Sequence, residues 1–268
     1  MVSPCLPFSE CPSARLSACV GLFTDIDDTL TEGGAIAPAA WLALQRLHDA
    51  GVPVVAITGR PMGWSEPFAR SWPVSAIVAE NGAVALLNQG SSVQIEYAQD
   101  AATRALNARR LRAAAARVLA EVPGATLAQD SPGRITDIAI DHSEFAHLDE
   151  ADIAQVVAIM QREGMNVSVS SIHINGWFGE HDKLSGARWM LQRLFQRRLD
   201  DEIDAWIYVG DSTNDQTMFA AFPLSVGVAN LMRFAQQLHS WPAYITAGER
   251  GAGFAEVASA LWAAHLAA

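Results

Sequence analysis

The chain has 268 residues, half of them hydrophobic and 18% charged, and a formal net charge of −11. That balance predicts a compact globular protein and excludes disorder, and the length suits one large domain or a core with a smaller insert. The acidic excess argues against nucleic acid or an anionic membrane as partner, and no apolar run reaches the roughly 18 residues that span a bilayer.

Cys5, Cys11 and Cys19 are odd in number and lack paired CxxC spacing, so reduced thiols in a cytoplasmic protein are expected. The first residues lack the basic start and apolar run of a signal peptide. Residues 1–17 are expected to be a flexible arm.

Cys19 to Phe23 reads as a buried strand that turns acidic at Asp25, Asp27 and Asp28. Because side chains alternate along an extended segment, Asp25 and Asp27 are expected to point to one side and Asp28 to the other. Two carboxylates so placed repel unless one is protonated or a cation intervenes, and Mg²⁺ is the default expectation. Gly33 and Gly34 permit a turn. Pro38 suits a helix start, with Trp41, Leu42, Leu44, Leu47 and Ala50 at rough helical spacing and Gly51 as the stop. Val52 to Ile57 is a second strand, ending in Thr58, Gly59 and Arg60. A strand, helix and strand in about forty residues predict an α/β fold, a Rossmann-like parallel sheet with helices on both faces. Ligands of such sheets bind at strand carboxyl ends. The Thr58 hydroxyl either meets a phosphate there or caps the next helix. Trp64 to Trp72 reads as a helix and Ile77 to Ala79 as a strand, and the Asn81-Gly82 pair favours a hairpin turn, although Asn81 could also touch substrate.

The pattern then changes character. Tyr97 to Glu121 and Leu148 to Gly164 read as helices, while Arg134 to Asp141 and Asn166 to Asn175 alternate like half-buried strands. The second strand shifts its apolar parity at Ser170-Ser171, which predicts a bulge. These elements predict a small α+β cap over residues 87–180, inserted between core segments 18–86 and 181–268. Arg134, Asp137, His173, Asn175 and Trp177 are its candidate specificity residues. Asp182 is a plausible N-cap for a helix through Leu184, Ala187, Leu191 and Phe195. Lys183 then occupies a first turn that disfavours cations, a broken local rule that points to anion binding. Ala205 to Val209 is a further strand, running into Gly210, Asp211, Ser212, Thr213, Asn214 and Asp215. Asp211 and Asp215, four apart at a helix start, form a second carboxylate pair. Leu224 to Val228 and Ala243 to Ile245 look like closing strands, and Phe254 to Leu266 like a last helix.

The ordered set Asp25-Ile26-Asp27-Asp28-Thr29, Thr58, Lys183 and Gly210-Asp211 with Asn214-Asp215 resembles the four motifs of the haloacid dehalogenase superfamily. The α+β insert is similar to the cap of the subgroup that includes sucrose-phosphate phosphatase, mannosyl-3-phosphoglycerate phosphatase and the Cof-type sugar phosphatases. The resemblance implies a Mg²⁺-dependent phosphatase acting on a small sugar or polyol phosphate through an aspartyl-phosphate. It assigns Asp25 as nucleophile, Asp27 as acid/base, and Thr58 and Lys183 as phosphoryl-binding residues. Asp25, the Asp27 carbonyl and Asp211 would bind Mg²⁺, supported by Asn214 and Asp215, and Gly59, Arg60, Asn81, Arg134, His173 and Asn175 would meet substrate. Asp28 stands where many members have Gly. The alternatives are a phosphomutase on the same scaffold and a catalytically silent sugar-phosphate-binding regulator.

Overall fold

The computed structural model describes residues 5–90 and 92–266. In chain order, β1 (Leu6–Pro7) and α1 (Ser13–Ser17) lead to β2 (Gly21–Thr24). A small hairpin of β3 (Thr31–Glu32) and β4 (Ala35–Ile36) precedes α2 (Pro38–Asp49). Next come β5 (Val54–Ile57), α3 (Met62–Ser71), β6 (Ala76–Ala79), β7 (Val84–Asn88) and β8 (Val93–Tyr97). The insert consists of α4 (Ala101–Glu121), β9 (Thr126–Leu127), β10 (Asp137–Asp141), α5 (Glu150–Arg162), β11 (Asn166–Val169) and β12 (His173–Trp177). The chain closes with α6 (Lys183–Phe195), β13 (Trp206–Gly210), α7 (Gln216–Ala221), β14 (Leu224–Gly227), β15 (Tyr244–Ile245) and α8 (Arg250–Leu266).

The main sheet runs β1-β15-β14-β13-β2-β5-β6-β7-β8, parallel from β1 through β6 and antiparallel at β7 and β8. Its central strands β2, β5, β6 and β13 are buried along their whole length, which is why they read as unbroken apolar runs. One face carries α2 and α8 over Leu22, Val54 and Ile77. The other carries α6 and α7 over Phe23, Val55 and Tyr208. In α2, Pro38 opens the helix as expected, but its buried stripe is Ala40, Ala43, Leu44 and Leu47, and Leu42 is exposed.

Three expectations need correction. Residues 6–17 are not a loose arm: β1 pairs with β15, and Phe8 and Leu16 are buried. Phe8 meets Tyr244 edge to face, and the segment covers what would otherwise be an open sheet edge. Met1 to Pro4 lie outside the described residues. The insert also starts later than residue 87, because β7 and β8 form a hairpin that extends the core sheet. Finally, the parity shift at Ser170-Ser171 is a reversal rather than a bulge. Asn166 to Trp177 folds as the antiparallel pair β11 and β12, with Val167 opposite Gly176.

The cap sheet, ordered β11-β12-β10-β9, packs α4 and α5 on one face over Leu111, Val118, Ile140, Met160 and Ile174. Its other face carries Asp137, His173 and Asn175, all buried. The polar alternation therefore marks a face turned to the core rather than to water.

Candidate functional site

The site grows from the carboxyl end of β2. The Asp25 N–H continues the ladder by donating to the Val209 carbonyl at 2.9 Å, after which the chain leaves the sheet. Asp25 is 4% exposed, and its Oδ1 accepts from Lys183 Nζ at 2.6 Å. Lys183 is the first residue of α6, whose start is set by an Asp182–Ser185 capping box. A cation there opposes the helix dipole. Its compensation is acidic on two sides, because the same Nζ donates to Asp215 Oδ1 at 2.7 Å.

Asp215 is fixed from every direction. Its Oδ2 accepts the N–H groups of Asp211 and Ser212, and its Oδ1 also receives the Tyr208 hydroxyl at 2.5 Å. Tyr208 gave no sequence signal, since it sits in an apolar strand. Asp211 receives long hydrogen bonds from Thr29 Oγ1 (3.4 Å) and Asn230 Nδ2 (3.3 Å). Carboxylate oxygens of Asp25, Asp211 and Asp215 lie within 4.8 Å of one another, all buried. Burial pushes the Asp25 carboxyl up to about 7 against the pull of Lys183, with Asp215 and Asp27 adding to the rise. Burial, then Asp25 and Asp215, likewise raise Asp211. Lys183 holds Asp25 and Asp215 but not Asp211, and the three carboxylates together could hold a hard cation.

Asp27 does not join this cluster. Its carboxylate turns to Arg60, whose Nε lies 3.1 and 3.0 Å from its two oxygens and whose Nη2 lies 3.0 Å from Oδ1. The strand ends before Asp25, so the strict alternation expected for Asp25 and Asp27 does not apply. Asp28 adopts φ +54, a left-handed conformation that explains why glycine serves well at this place. Its carboxylate faces away, 2.9 Å from Arg250 Nε.

Thr58 is buried at the end of β5, where its Oγ1 accepts the Arg60 N–H at 3.0 Å. The Gly59 carbonyl accepts from Arg134 Nη1 (2.9 Å) and Asn175 Nδ2 (3.3 Å), two residues of the cap. Asn81 lies in a short 3₁₀ turn with φ +55, and its buried Nδ2 has no hydrogen-bond partner among the described residues. Arg134 is committed to Asp137, Asp130 and Gly59, so it docks the cap rather than facing a substrate. His173 Nε2 lies 2.9 Å from Glu144 Oε2. The Trp177 indole donates to the His181 carbonyl and its ring stacks on His181, so it braces the link between β12 and α6.

Sequence reasoning missed Glu80, which is fully buried. It accepts the N–H groups of Met62, Ile135 and Thr136 and the Thr136 hydroxyl, tying core to cap. It also missed Glu144, which lies in a loop with no periodicity, and Asn230, which links Asp211 to the Asp28 carbonyl.

Asp25, Asp27, Thr58, Arg60, His173 and Asn175 line a pocket of about 10 Å³, beside Asn214 and the Ser170–Ile172 turn. That is room for about one water. A separate open cleft of about 1200 Å³ runs between α5 and the core and meets the centre near Lys183, Asn214 and Ser170.

Fold and site together define a capped α/β protein with a carboxylate–lysine centre at the carboxyl edge of its parallel sheet. Residues 22–112 match the family model of the haloacid dehalogenase-like hydrolases. No curated protein matches the sequence. Among solved structures, a Thermoplasma acidophilum protein matches with TM-score 0.70 and 15% identity, covering 91% of this chain and 98% of that one. A HAD/COF-like hydrolase from Plasmodium vivax gives 0.68 and 15%, covering 94% and 99%. The sucrose-phosphatase of Synechocystis sp., solved with sucrose and phosphate, gives 0.65 and 14%, covering 90% and 97%. Among the described residues no helix is long and apolar enough to cross a membrane.

Proposed function

We propose that this protein is a Mg²⁺-dependent phosphatase that hydrolyses a sugar phosphate or related small polyol phosphate through an aspartyl-phosphate. The observation that carries the reading is the Lys183 bridge between Asp25 and Asp215. It puts a fixed cation beside a buried carboxylate at a strand end, where an incoming phosphoryl group needs its charge offset.

In this reading an Asp25 oxygen attacks phosphorus, the ester P–O bond breaks, and the departing alkoxide takes a proton from Asp27. Asp27 then takes a proton from water, the water oxygen attacks phosphorus, and the Asp25–phosphorus bond breaks to release phosphate. Thr58 and Lys183 hold phosphoryl oxygens. The donor set fits Mg²⁺, because it is made of hard oxygens and the Asp211 hydrogen bonds are long. Asp25, Asp211 and the Asp27 carbonyl would hold the ion, with Asn214 and Asp215 in support. When bound it would supply positive charge against the acids and the phosphoryl group.

The pocket beside Asp25 and Asp27, about 10 Å³, is too small for a sugar phosphate, so in this reading the cap lifts to bring the phosphoryl group to Asp25. The cap turn at Ser170–Ile172, together with His173 and Asn175, then closes against the leaving group.

The test is phosphate release from a panel of sugar phosphates, with Mg²⁺ or EDTA, for the native protein and Asp25→Asn. Metal-dependent release that disappears with the substitution is the expected result. Binding or isomerisation of a sugar phosphate without release would overturn hydrolysis in favour of a mutase or a regulator.

A further inference from the structure

Arg60 is only 5% exposed. Its guanidinium has two working edges. One edge, Nε with Nη2, grips both oxygens of Asp27 at 3.0–3.1 Å. The other edge is held by the cap: Nη2 donates to Glu144 Oε1 at 2.7 Å, and Nη1 to Glu144 Oε2 at 3.3 Å and Asp130 Oδ2 at 3.2 Å.

Those cap acids are themselves fixed. Glu144 Oε2 is bonded to His173 Nε2, and its loop is pinned by Asp141, which accepts the N–H groups of Ser143, Glu144, Phe145 and Ala146. Asp130 is bonded to Arg134, which also reaches the Gly59 carbonyl next to Arg60. The Trp64 ring lies beneath the guanidinium, 5.0 Å from its centre. A planar fork bound on both edges has little freedom left. A continuous chain of contacts thus runs from His173 in the cap to Asp27 in the core.

We propose that Arg60 is a positioning residue that fixes the Asp27 carboxylate for proton transfer, and that the cap acids Glu144 and Asp130 complete this positioning as the cap closes. The proposal rests on the phosphatase reading, in which Asp27 passes a proton to the leaving alkoxide. Proton transfer needs heavy atoms within about 2.6–3.2 Å, and a carboxylate free to rotate spends little time there. With the cap lifted, Arg60 loses its outer partners, and the Arg60–Asp27 pair is free to move as a unit. Acid/base help is then available chiefly when the leaving group is enclosed.

Leaving-group dependence separates this role from phosphate binding or folding. An aryl phosphate leaves without a proton, whereas an alkyl phosphate needs one. The experiment measures kcat/KM for p-nitrophenyl phosphate and for a hexose phosphate that the native enzyme hydrolyses. Arg60→Gln, Asp27→Asn, the double variant and Glu144→Gln are compared. General acid/base catalysis is worth about 10²–10⁴-fold. Arg60→Gln is therefore expected to lower the alkyl rate on the order of 10²-fold while the aryl rate stays within about threefold. Glu144→Gln is expected to give a smaller loss of the same selectivity. In the Asp27→Asn background, Arg60→Gln should add nothing, because two residues acting as one unit are not additive.

Equal losses on both substrates, or a multiplicative effect in the double variant, would overturn the proposal and make Arg60 a phosphate ligand or a structural residue. A native protein that hydrolyses neither ester would instead refute the phosphatase reading itself. Should Arg60→Gln fold poorly, Arg60→Lys and Glu144→Gln decide the question through the same ratio of substrates.

Discussion

Replacing Lys183 with Met removes the central cation while nearly preserving side-chain volume. The Nζ is hydrogen-bonded to Asp25 at 2.6 Å and Asp215 at 2.7 Å, and its side chain is 3% exposed. Removing one partner of a buried ion pair costs about 3–5 kcal/mol, because the other charge is left uncompensated. An orphaned acid can escape part of that cost by taking a proton. Asp25 is already raised by burial from 3.8 to about 7, and Lys183 is what opposes the rise. At pH 7 the escape is cheap, so the loss in metal-free protein should fall near the low end, about 3 kcal/mol.

The pH dependence follows from the sign of the shift. Between its unfolded and folded pKa, Asp25 binds more protons in the folded state, so its contribution makes stability fall with rising pH. In the native protein that fall levels off above about pH 7. Without Lys183 the folded pKa is higher still and the fall continues. The gap between native and Lys183→Met should therefore widen from pH 7 to pH 9 by roughly 1 kcal/mol per unit. Urea unfolding in EDTA, followed by circular dichroism at both pH values, measures it. A loss below about 1 kcal/mol at pH 7, or a gap that does not change, would refute the reasoning.

Two further outcomes are expected. Gly82 has φ +106, and a Cβ there would lie 2.1 Å from the Asp182 carbonyl oxygen, at the start of the helix that carries Lys183. Gly82→Ala should cost about 2–4 kcal/mol and displace Lys183, seen as a thermal midpoint lowered by at least about 5 °C and lost phosphate release; a midpoint within 2 °C of native counts against it. Burial would raise Glu144, but His173 and Arg60 overcome it and hold its carboxyl at about 2, below its usual 4.5. Its contribution is present above about pH 4.5 and is lost as pH falls toward 2. The difference in urea midpoint between native protein and Glu144→Gln should thus shrink from pH 6 to pH 3, and a constant difference would break the link.

The elements of the core were legible because their causes are local. Unbroken apolar runs mark β2, β5 and β13, since a strand covered on both faces has no polar side to show. Pro38 and the Asp182 cap announce helix starts through single-residue geometry. Asp25 and Asp211 were legible as site candidates because each follows directly on a strand, and Asp215 because it stands four residues after Asp211 at a helix start. Tertiary structure decided which charge meets which. Nothing near Asp27 in sequence shows that Arg60, 33 residues on, takes both its oxygens, or that Glu144 holds the same guanidinium from the cap. The polar faces of β10 and β12 carry the alternation of solvated strands, and only their packing on the core shows Asp137, His173 and Asn175 to be buried. The physical reason is range. Backbone period and capping act within one turn or strand, whereas a buried charge is stable only beside partners that the fold brings together from distant parts of the chain.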